Sequence, residues 1–388
     1  SALIRLEELL EDSVKKRLIA DVPLGIFLSG GIDSSTIAYF AKKQKKDIET
    51  FSIGFTEKSF DEARYAKQVA EFLNTNHHHK EFSPKDLLEI IPEIIEKLDE
   101  PFGDSSILPT FLLAKFTKER VKVALGGDGG DELLMGYPNH QVQKLLYFFK
   151  LHNLKLGGNY VNILEGLLPV SNKNLKFSYK LKRYSHSLAF SGLYRDFLNI
   201  GGYVRNLDDL FRFKIDSEKT FAFANNFLGA QSEKDYLKKI NLLFLKYYLE
   251  DDILFKVDRA SMYNSLEVRA PFLDFRVADF LNSLPLNYKL HGLETKYILK
   301  KIMENKLPKN IIYRKKKGFG VPLTVWLKKD LKDYMLEVLN QKEIDKFGLI
   351  NYNKVNNLVE EHIKNKRDNR KVLWNLIIFQ NWCKNYLS

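Results

Sequence analysis

The sequence lacks several features that assign a protein to a class at sight. It has one cysteine, Cys383, in 388 residues, which excludes an intrachain disulfide and a zinc or iron–sulfur site made of several cysteines. It has no apolar run of the roughly eighteen residues that cross a bilayer, and residues 1–8 lack the basic start and apolar core of a secretory signal. We therefore expect a cytoplasmic protein that has no membrane partner.

A concentrated basic surface is also missing, although the net charge is +12. Most lysines and arginines are scattered in pairs, such as Lys15 with Lys16 and Lys238 with Lys239, and residues 314–317 form the one dense basic run. Charges spread along solvated helices explain this pattern better than a nucleic-acid interface does. We therefore do not expect a nucleic acid as a partner.

Short apolar runs alternate with amphipathic segments in the first third of the chain. The runs predict strands and the segments between them predict helices. A helix over residues 3–20 comes first. The predicted strands cover residues 22–28, 50–55, 78–82 and 121–125, and the predicted helices between them cover residues 36–43, 61–73, 84–97 and 108–120. This order is typical of an α/β fold with a parallel sheet and helices on both faces, whose ligand lies beyond the carboxyl ends of the strands.

The later parts of the chain follow a different pattern, which divides the sequence into three segments. Residues 1–140 are expected to form the α/β core. Residues 141–237 carry no motif and are expected to form a helical insertion or lobe. Residues 238–388 are expected to form a mostly helical part that completes the site.

Three consecutive histidines, His77, His78 and His79, lie in or beside a predicted strand. A cluster of this kind can indicate a metal site. Neighbouring side chains of a strand point to opposite faces, so the three rings do not easily share one ion. A structural role is therefore favoured.

The segment LSGGIDSS, residues 28–35, follows the first predicted strand, while the common motifs GxxxxGK and GxGxxG are absent. Glycines let the backbone turn sharply and approach a ligand, hydroxyls donate to phosphate oxygens, and the start of a helix favours an anion. Asp33 would repel a phosphate, so we expect it to act through Mg²⁺. The pattern predicts a pyrophosphate-binding loop that contains Ser29, Gly30, Gly31, Asp33, Ser34 and Ser35. A turn that only caps a helix is the alternative.

A second glycine-rich segment, ALGGDGGDELLMGY at residues 124–137, contains five glycines and three acidic residues. So many glycines suit a loop pressed against ribose and phosphates better than an exposed surface loop, which is the alternative. Asp131 is expected to share a magnesium ion with Asp33. The ion would neutralise a leaving pyrophosphate.

Four motifs follow in order along the chain. They are the two loops, then DRASMYNSLEVRAPFLD at residues 258–274, then RKKKGFGVP at residues 314–322. The first resembles the PP-loop of ATP pyrophosphatases, and together the four resemble the synthetase domain of glutamine-dependent asparagine synthetases and their relatives. The resemblance runs from about residue 5 to residue 330, and residues 140–235 carry no matching motif.

The resemblance implies an ATP-dependent amide ligase that uses ATP and Mg²⁺. A carboxylate, normally the side chain of aspartate, is adenylated with release of pyrophosphate. Ammonia then attacks the acyl carbon and gives the amide, asparagine, together with AMP. A glutaminase domain or subunit supplies the ammonia, and whether the chain forms a homodimer stays open.

The resemblance also implies roles for individual residues. Leu28 and Ile53, at strand ends, would border the adenine, and Gly127 would lie against the ribose and the α-phosphate. Asp128 matches an acidic residue near the acyl centre and is a candidate base. Lys316 matches a lysine that stabilises the transition state around the α-phosphate.

Three further predictions concern charged residues in or near the motifs. Positive charge beside a pentacovalent phosphorus is stabilising, so the loop of Lys316 is expected to fold over the site, with Lys315 and Lys317 solvated. Glu267 is expected to face the site as a third catalytic candidate. Lys296 is a weaker candidate for binding pyrophosphate.

Two departures from the family pattern leave the substrate open. No glutaminase domain precedes the first helix, so we expect either a truncated chain or a stand-alone synthetase domain. Asp128 stands where many asparagine synthetases have glutamate, and this resembles the bacterial branch that includes amidotransferases of surface-polysaccharide biosynthesis. A sugar carboxylate is therefore the alternative substrate, and a tRNA-modifying PP-loop enzyme is a further alternative.

Overall fold

The computed structural model describes residues 1–55, 63–151, 190, 192–201, 209–316, 318 and 320–387. Their contacts divide them into two compact units. The first unit is made of Ser1–Phe82, Pro109–Phe149 and Asp235–Phe319, and the second of Ser83–Leu108, Lys150–Lys234 and Gly320–Ser388. The three segments 1–140, 141–237 and 238–388 stay a prediction, because much of 141–237 lies outside the described residues.

A five-stranded sheet belongs to the first unit, and all of its neighbouring strands are parallel. The strands are β1 Leu24–Phe27, β2 Glu49–Phe55, β3 Asn76–Phe82, β4 Val123–Leu125 and β5 Glu267–Arg269. They lie in the order β3-β2-β1-β4-β5. The loops after β1 and β4 therefore leave the same edge of the sheet side by side. The predicted α/β class with a parallel sheet is confirmed.

Helices surround the sheet in the first unit. Those with bounds in the described residues are Ala2–Arg17, Ile32–Gln44, Ala63–Leu73, Gly130–Leu133, Pro138–Phe148, Tyr236–Leu243, Phe255–Met262, Phe275–Ser283, Leu286–Lys289, Tyr297–Met303 and Lys309–Ile312. A π-helix covers Phe244–Leu254, a 3-10 turn covers Pro271–Leu273, and a small antiparallel hairpin pairs Leu290–His291 with Glu294–Thr295.

The second unit is helical in its described residues. Its helices are Pro84–Lys97, Gly192–Gly201, Ser217–Gly229, Leu323–Trp326, Lys332–Val338, Gln341–Asp345, Tyr352–Ile363 and Arg370–Tyr386, and the helix Ile107–Lys118 has residues in both units. The mostly helical C-terminal part is therefore confirmed. Across the described parts of the chain, none of the helices combines the length and the hydropathy that a membrane crossing needs.

The third sequence motif holds the first helix in place. Asp274 caps the helix Phe275–Ser283 by accepting from the Arg276 backbone N–H at 3.1 Å, and it also pairs with Arg17 Nη1 at 3.0 Å. Arg269 Nη1 donates to the carbonyl oxygens of Arg17, at 2.9 Å, and Ile19, at 2.7 Å. The residues of this motif therefore fix the end of the first helix, which stops at Arg17 rather than at residue 20.

Two boundaries differ from the prediction in a way that matters for the site. The helix after β1 begins at Ile32, not at residue 36, because Gly31 already has the extended conformation of a cap. Asp33 therefore lies in the first helical turn, where backbone N–H groups have no intrahelical partner. Strand β5 is absent from the predicted strands because three residues carry no detectable period.

The three histidines lie in β3 and point in alternating directions. Ser52 Oγ lies 3.0 Å from His77 Nε2 and 2.9 Å from His79 Nδ1. His78 instead stacks on Phe51, with ring centroids 5.1 Å apart. The rings therefore do not converge on one point, in agreement with the structural role favoured from the sequence.

Candidate active site

The loop after β1 forms a tight turn that leads into a helix. The Leu28 backbone N–H donates to the Phe51 carbonyl at 2.8 Å, which extends the pairing of the strand up to the turn. Gly30 has φ +68°, a left-handed conformation that favours glycine. A Cβ at Gly30 would lie 2.4 Å from the carbonyl carbon of Tyr65. The turn therefore needs glycine at residue 30 both for its backbone conformation and for its packing.

Two serine hydroxyls line this turn. Ser34 Oγ donates to the Gly31 carbonyl at 3.2 Å and lies 3.1 Å from Ser29 Oγ. The backbone N–H of Ser29 donates to Ser34 Oγ at 3.2 Å. Ser35 differs, because its hydroxyl is buried and has no hydrogen-bond partner among the described residues. Ser29 and Ser34 are thus brought together as predicted, whereas Ser35 lies behind them.

The loop after β4 lies against the first loop at its glycines. The Gly126 backbone N–H donates to the Arg269 carbonyl at 2.8 Å, which holds the start of the loop to β5. A Cβ at Gly127 would lie 3.0 Å from the Ser34 nitrogen, and a Cβ at Gly130 would lie 2.9 Å from the carboxyl carbon of Asp33. The glycines therefore allow the two loops to touch.

Four charged side chains meet where the loops touch. Lys296 Nζ forms an ion pair with Asp33 and lies 2.6 Å from Asp131 Oδ1. Lys316 Nζ forms a second ion pair with Asp131. Lys296 is 4% exposed, so its ammonium group is a buried link between two carboxylates. The position of Asp33 and Asp131 in one cluster fits the sequence prediction that they lie together. Lys296, which the sequence offered only as a weaker candidate for binding pyrophosphate, lies at the centre of the cluster.

The two carboxylates have different proton affinities. Burial raises the pKa of Asp33, and the nearby Lys296 compensates only in part. Burial also opposes ionisation of Asp131, but Lys296 and Lys316 outweigh it and hold the pKa of Asp131 below its ordinary value. Asp131 is therefore the more firmly ionised of the pair at neutral pH.

The cluster suits a divalent cation that binds through few protein ligands. Asp33 Oδ1 is buried and has no hydrogen-bond partner in the described part of the chain. That same part contains no group of three or more metal-ligating side chains. Mg²⁺ commonly takes one or two carboxylates and completes its shell with water and substrate phosphates. Asp33 and Asp131 therefore fit Mg²⁺ bound together with a nucleotide.

Asp128 lies in the second loop and is partly exposed. Burial raises the pKa of its carboxyl group, while the positive charge of Lys256 works against that rise. A carboxylate with a raised pKa accepts a proton more readily at neutral pH. Lys256 is itself buried, at the start of the helix Phe255–Met262. The sequence reasoning missed Lys256, although it lies two residues before the third motif.

Glu132, which is buried, and Tyr137, which is half-buried, form a pair that the sequence reasoning also missed. The Tyr137 hydroxyl donates to Glu132, which is 2% exposed. Burial raises the pKa of Glu132 to about 7. The Tyr137 ring stacks on Phe244 with centroids 5.5 Å apart, and Lys316 Nζ lies 5.9 Å from its centre. The signal in the sequence is an acidic residue and a tyrosine that flank an apolar run in the second loop.

The basic loop of the fourth motif reaches both glycine-rich loops. Arg314 Nη1 donates to the carbonyl oxygens of Gly30, at 3.1 Å, and Ser29, at 3.3 Å. Both Lys315 and Lys316 are exposed, but of the two only Lys316 forms an ion pair with Asp131 among the described residues. The prediction for Lys317 lies outside the described residues.

Ile53 lies within β2, which continues to Phe55, but it follows Phe51, the partner of Leu28, by two residues and so lies level with the first turn. Its role beside the adenine stays a prediction.

One predicted site residue is not brought to the charged cluster. Glu267 begins β5 opposite Val123, at the amino edge of the sheet, whereas the loops leave from the carboxyl edge. Its side chain is exposed and pairs with Arg269 Nε at 2.6 Å. The expectation that Glu267 faces the site therefore does not agree with its position in a parallel strand.

A parallel sheet with a PP-loop after its central strand and a second glycine-rich loop beside it defines a nucleotide-binding domain of the PP-loop type. Residues 5–384 match the family model described as asparagine synthase. The chain belongs to the asparagine synthase family.

Several relatives are similar over almost the whole chain. The glutamine-hydrolyzing asparagine synthetase 1 of Bacillus subtilis (strain 168) is 32% identical, over 96% of this chain and 57% of the relative. A putative glutamine-hydrolyzing asparagine synthetase of Mycobacterium tuberculosis is 31% identical, over 96% of this chain and 56% of the relative. One from Methanocaldococcus jannaschii is 33% identical over 69% of this chain and 50% of the relative. The chain thus spans about half the length of the relatives it matches.

Proposed function

We propose that the chain is an ATP-dependent amide ligase that activates a carboxylate by adenylation. The observation that carries this proposal is the cluster of Asp33, Asp131, Lys296 and Lys316 at the meeting point of two glycine-rich loops. Such a cluster combines acidic ligands for a metal with ammonium groups for phosphate oxygens. A nucleotide triphosphate requires both kinds of group.

The first step joins the carboxylate to the α-phosphate of ATP. A carboxylate oxygen attacks the α-phosphorus, and the bond to the leaving pyrophosphate breaks. Lys316 stabilises the extra negative charge that develops on the α-phosphate oxygens. Ser29, Ser34 and the N–H groups at the start of the helix Ile32–Gln44 hold the pyrophosphate. Mg²⁺, when held by Asp33 and Asp131, neutralises charge on the phosphates.

The second step forms the amide. Ammonia attacks the acyl carbon, and the bond between that carbon and the AMP oxygen breaks. We assign to Asp128, which follows β4 in the second loop and is partly exposed, the role of accepting a proton from the attacking nitrogen. Its raised pKa suits this role, since a more basic carboxylate binds the proton more strongly.

The acyl substrate that we propose is the side chain of aspartate, and the nitrogen donor is ammonia from a glutaminase domain or subunit. The relatives are named as glutamine-hydrolyzing asparagine synthetases, the one from Methanocaldococcus jannaschii as a putative one, which supports this choice. A sugar carboxylate is the second candidate, favoured by Asp128 where many asparagine synthetases have glutamate.

A substrate panel tests the proposal. The chain is incubated with Mg²⁺-ATP and ammonium, together with aspartate, a uronate sugar or tRNA. We expect AMP and pyrophosphate in equal amounts with aspartate, and asparagine as the product. AMP formation only with the uronate would keep the adenylation and replace the substrate. Formation of ADP, or a strict need for tRNA, would overturn the proposal.

A pair of variants connects the panel to the charged cluster. Asp33→Asn is expected to abolish AMP formation, because it removes a metal ligand in the first turn of the helix Ile32–Gln44. Asp47→Asn is the matched control, since Asp47 follows the same helix but is exposed. Equal rates in the two variants would contradict the role given to Asp33.

A further inference from the structure

Arg314 contacts the first loop and the helix Ala63–Leu73 at the same time. Its Nη1 donates to the carbonyl oxygens of Gly30 and Ser29, at 3.1 and 3.3 Å. Its guanidinium carbon also lies 4.0 Å from the ring centre of Tyr65, a distance at which a guanidinium stacks favourably on an aromatic face. Arg314 is therefore held by a flat surface on one side and by two carbonyl groups at its edge.

Tyr65 supports the turn as well as the arginine. A Cβ at Gly30 would lie 2.4 Å from the carbonyl carbon and 2.5 Å from the Cβ of Tyr65. The turn thus packs directly on the backbone of the helix Ala63–Leu73, and the ring of the same residue packs on Arg314. The turn, the helix and the arginine form one contiguous contact, which we call the Arg314 clamp (Ser29, Gly30, Tyr65 and Arg314).

The clamp sets the direction of the backbone N–H groups that would bind phosphate. In a trans peptide the C=O of one residue and the N–H of the next point in opposite directions. When Arg314 holds the carbonyl groups of Ser29 and Gly30, the N–H groups of Gly30 and Gly31 must point away from the arginine. The Gly31 N–H indeed faces Ser29 Oγ at 3.3 Å, on the side of the serine hydroxyls that line the turn.

The clamp also limits where Lys316 can reach. Lys316 lies two residues after Arg314, and two residues of extended chain span about 7 Å. Its ammonium group pairs with Asp131 in the second loop. Fixing Arg314 on the first loop therefore fixes the base of the segment that carries Lys316 to the second loop.

We infer that Arg314 is a positioning residue that couples the conformation of the nucleotide loop to the placement of Lys316. The inference rests on the proposed function, because it assigns Arg314 to the binding of ATP and to the adenylation step. Lysine cannot replace arginine here, since an ammonium group has no flat face that could stack on Tyr65 while a nitrogen at its edge donates to both carbonyl groups.

Arg64 provides a matched control on the same ring. Its guanidinium carbon lies 4.5 Å from the ring centre of Tyr65, and its Nη2 donates to the Tyr65 hydroxyl. Its contacts are with Tyr65 rather than with the carbonyl groups of the turn, and its side chain is exposed. Arg64→Gln therefore removes a charged partner of Tyr65 and leaves the clamp in place.

The experiment compares Arg314→Lys, Tyr65→Leu, Tyr65→Phe and Arg64→Gln with the unchanged chain. Binding of Mg²⁺-ATP and the rate of AMP formation at saturating ATP are measured for each. We expect Arg314→Lys to weaken ATP binding and to slow AMP formation by about tenfold or more each. Tyr65→Leu should show the same two defects to a smaller extent, and Tyr65→Phe and Arg64→Gln should behave like the unchanged chain.

Hydrogen exchange gives a readout that does not depend on activity. Without ATP, the backbone amides of residues 28–35 should exchange faster in Arg314→Lys and Tyr65→Leu than in Arg64→Gln. A role confined to overall stability would instead raise exchange throughout the first unit and leave the kinetics of the folded molecules unchanged. Unchanged exchange and unchanged ATP binding in Arg314→Lys would overturn the inference. Absence of AMP formation in the unchanged chain would overturn the proposed function alone.

Discussion

The ammonium group of Lys296 lies 2.6 Å from the Oδ1 oxygen of Asp131. The same ammonium pairs with Asp33, which comes from the other loop. The backbone of Lys296 has φ 55°, and its N–H donates to the Leu134 carbonyl at 3.2 Å, so the residue is fixed beside the acidic loop. One buried cation therefore connects the two loops and balances the two carboxylates that are expected to bind a metal.

Loss of this cation is expected to destabilise the fold. Lys296→Met leaves two buried carboxylates without their shared partner, and breaking a buried ion pair in this way costs about 3–5 kcal/mol. Urea unfolding at neutral pH without divalent cations measures the change. Lys301→Met is the control on the same helix, because Lys301 pairs with Glu304 at 2.7 Å and is partly exposed. An unfolding free energy for Lys296→Met equal to that of the control would contradict the account.

Lys316 is expected to act on the reaction rather than on nucleotide binding. Lys316→Ala should leave the affinity for Mg²⁺-ATP within a fewfold range and slow AMP formation by about a hundredfold or more, as expected for a contact made in the transition state. The neighbouring Lys315→Ala should keep the normal rate, because the ion pair with Asp131 belongs to Lys316 and not to Lys315. Single-turnover measurements at saturating ATP separate the two effects. A normal rate in Lys316→Ala would show that the lysine is not part of the adenylation step.

The turn at Gly30 should tolerate no side chain. Gly30→Ala combines left-handed strain with overlap at 2.4 Å from Tyr65, and together these should lower the free energy of unfolding by about 2–5 kcal/mol. Gly292→Ala is the matched control, since Gly292 also has a positive φ, of 55°, but among the described residues none other than its chain neighbours has an atom within 4 Å of the added Cβ. Its free energy of unfolding should fall only by the cost of the left-handed conformation, about 1–2 kcal/mol. Denaturant unfolding of both variants tests the difference, and equal losses would disprove the close packing.

The stability of the fold should fall on mild acidification, in part through His77. Burial lowers the pKa of His77 from 6.5 to about 4, and the neighbouring His79 and His78 add to the effect. Between these two values the unfolded chain binds a proton at this position and the folded chain does not, so stability decreases as the pH falls through this window. The contribution is complete above about pH 6.5 and lost below about pH 4.

Two histidine variants isolate this contribution. His77→Asn should reduce the slope of unfolding free energy against pH between 6.5 and about 4. His79→Asn, on an exposed position of the same strand face, should retain the greater part of the slope. Equal slopes for the two variants would show that protonation of His77 does not cause this pH dependence.

The sequence was sufficient for four of the five strands and for the two loops, because their signals are local. An apolar run followed by glycines and hydroxyls is contained within about ten residues. Lys296 and Arg314 are different. Lys296 contacts Asp33 and Arg314 contacts Gly30, each across more than 260 residues of sequence, and no local pattern predicts these contacts. Glu267 was placed wrongly for a different reason. The third motif indicates that the segment around Glu267 lies near the site, but it does not indicate at which end of the strand Glu267 lies.

The position of helix and strand boundaries also limited the prediction of the site. Asp33 was expected on a loop and lies in a first helical turn, because the helix begins at Ile32, four residues before the predicted start. Ile53 was expected at a strand end and lies within β2, which continues to Phe55. Shifts of this size do not change the fold, but they decide which backbone groups face a ligand.

Transfer of an oxygen isotope tests the central claim most directly. Aspartate labelled with ¹⁸O in its side-chain carboxylate is incubated with the chain, Mg²⁺-ATP and ammonium, and the nucleotide products are examined by mass spectrometry. If the carboxylate attacks the α-phosphorus and ammonia then attacks the acyl carbon, one ¹⁸O atom is recovered in AMP. Recovery of the label in inorganic phosphate, together with ADP, would show attack at the γ-phosphorus and would contradict the adenylation account.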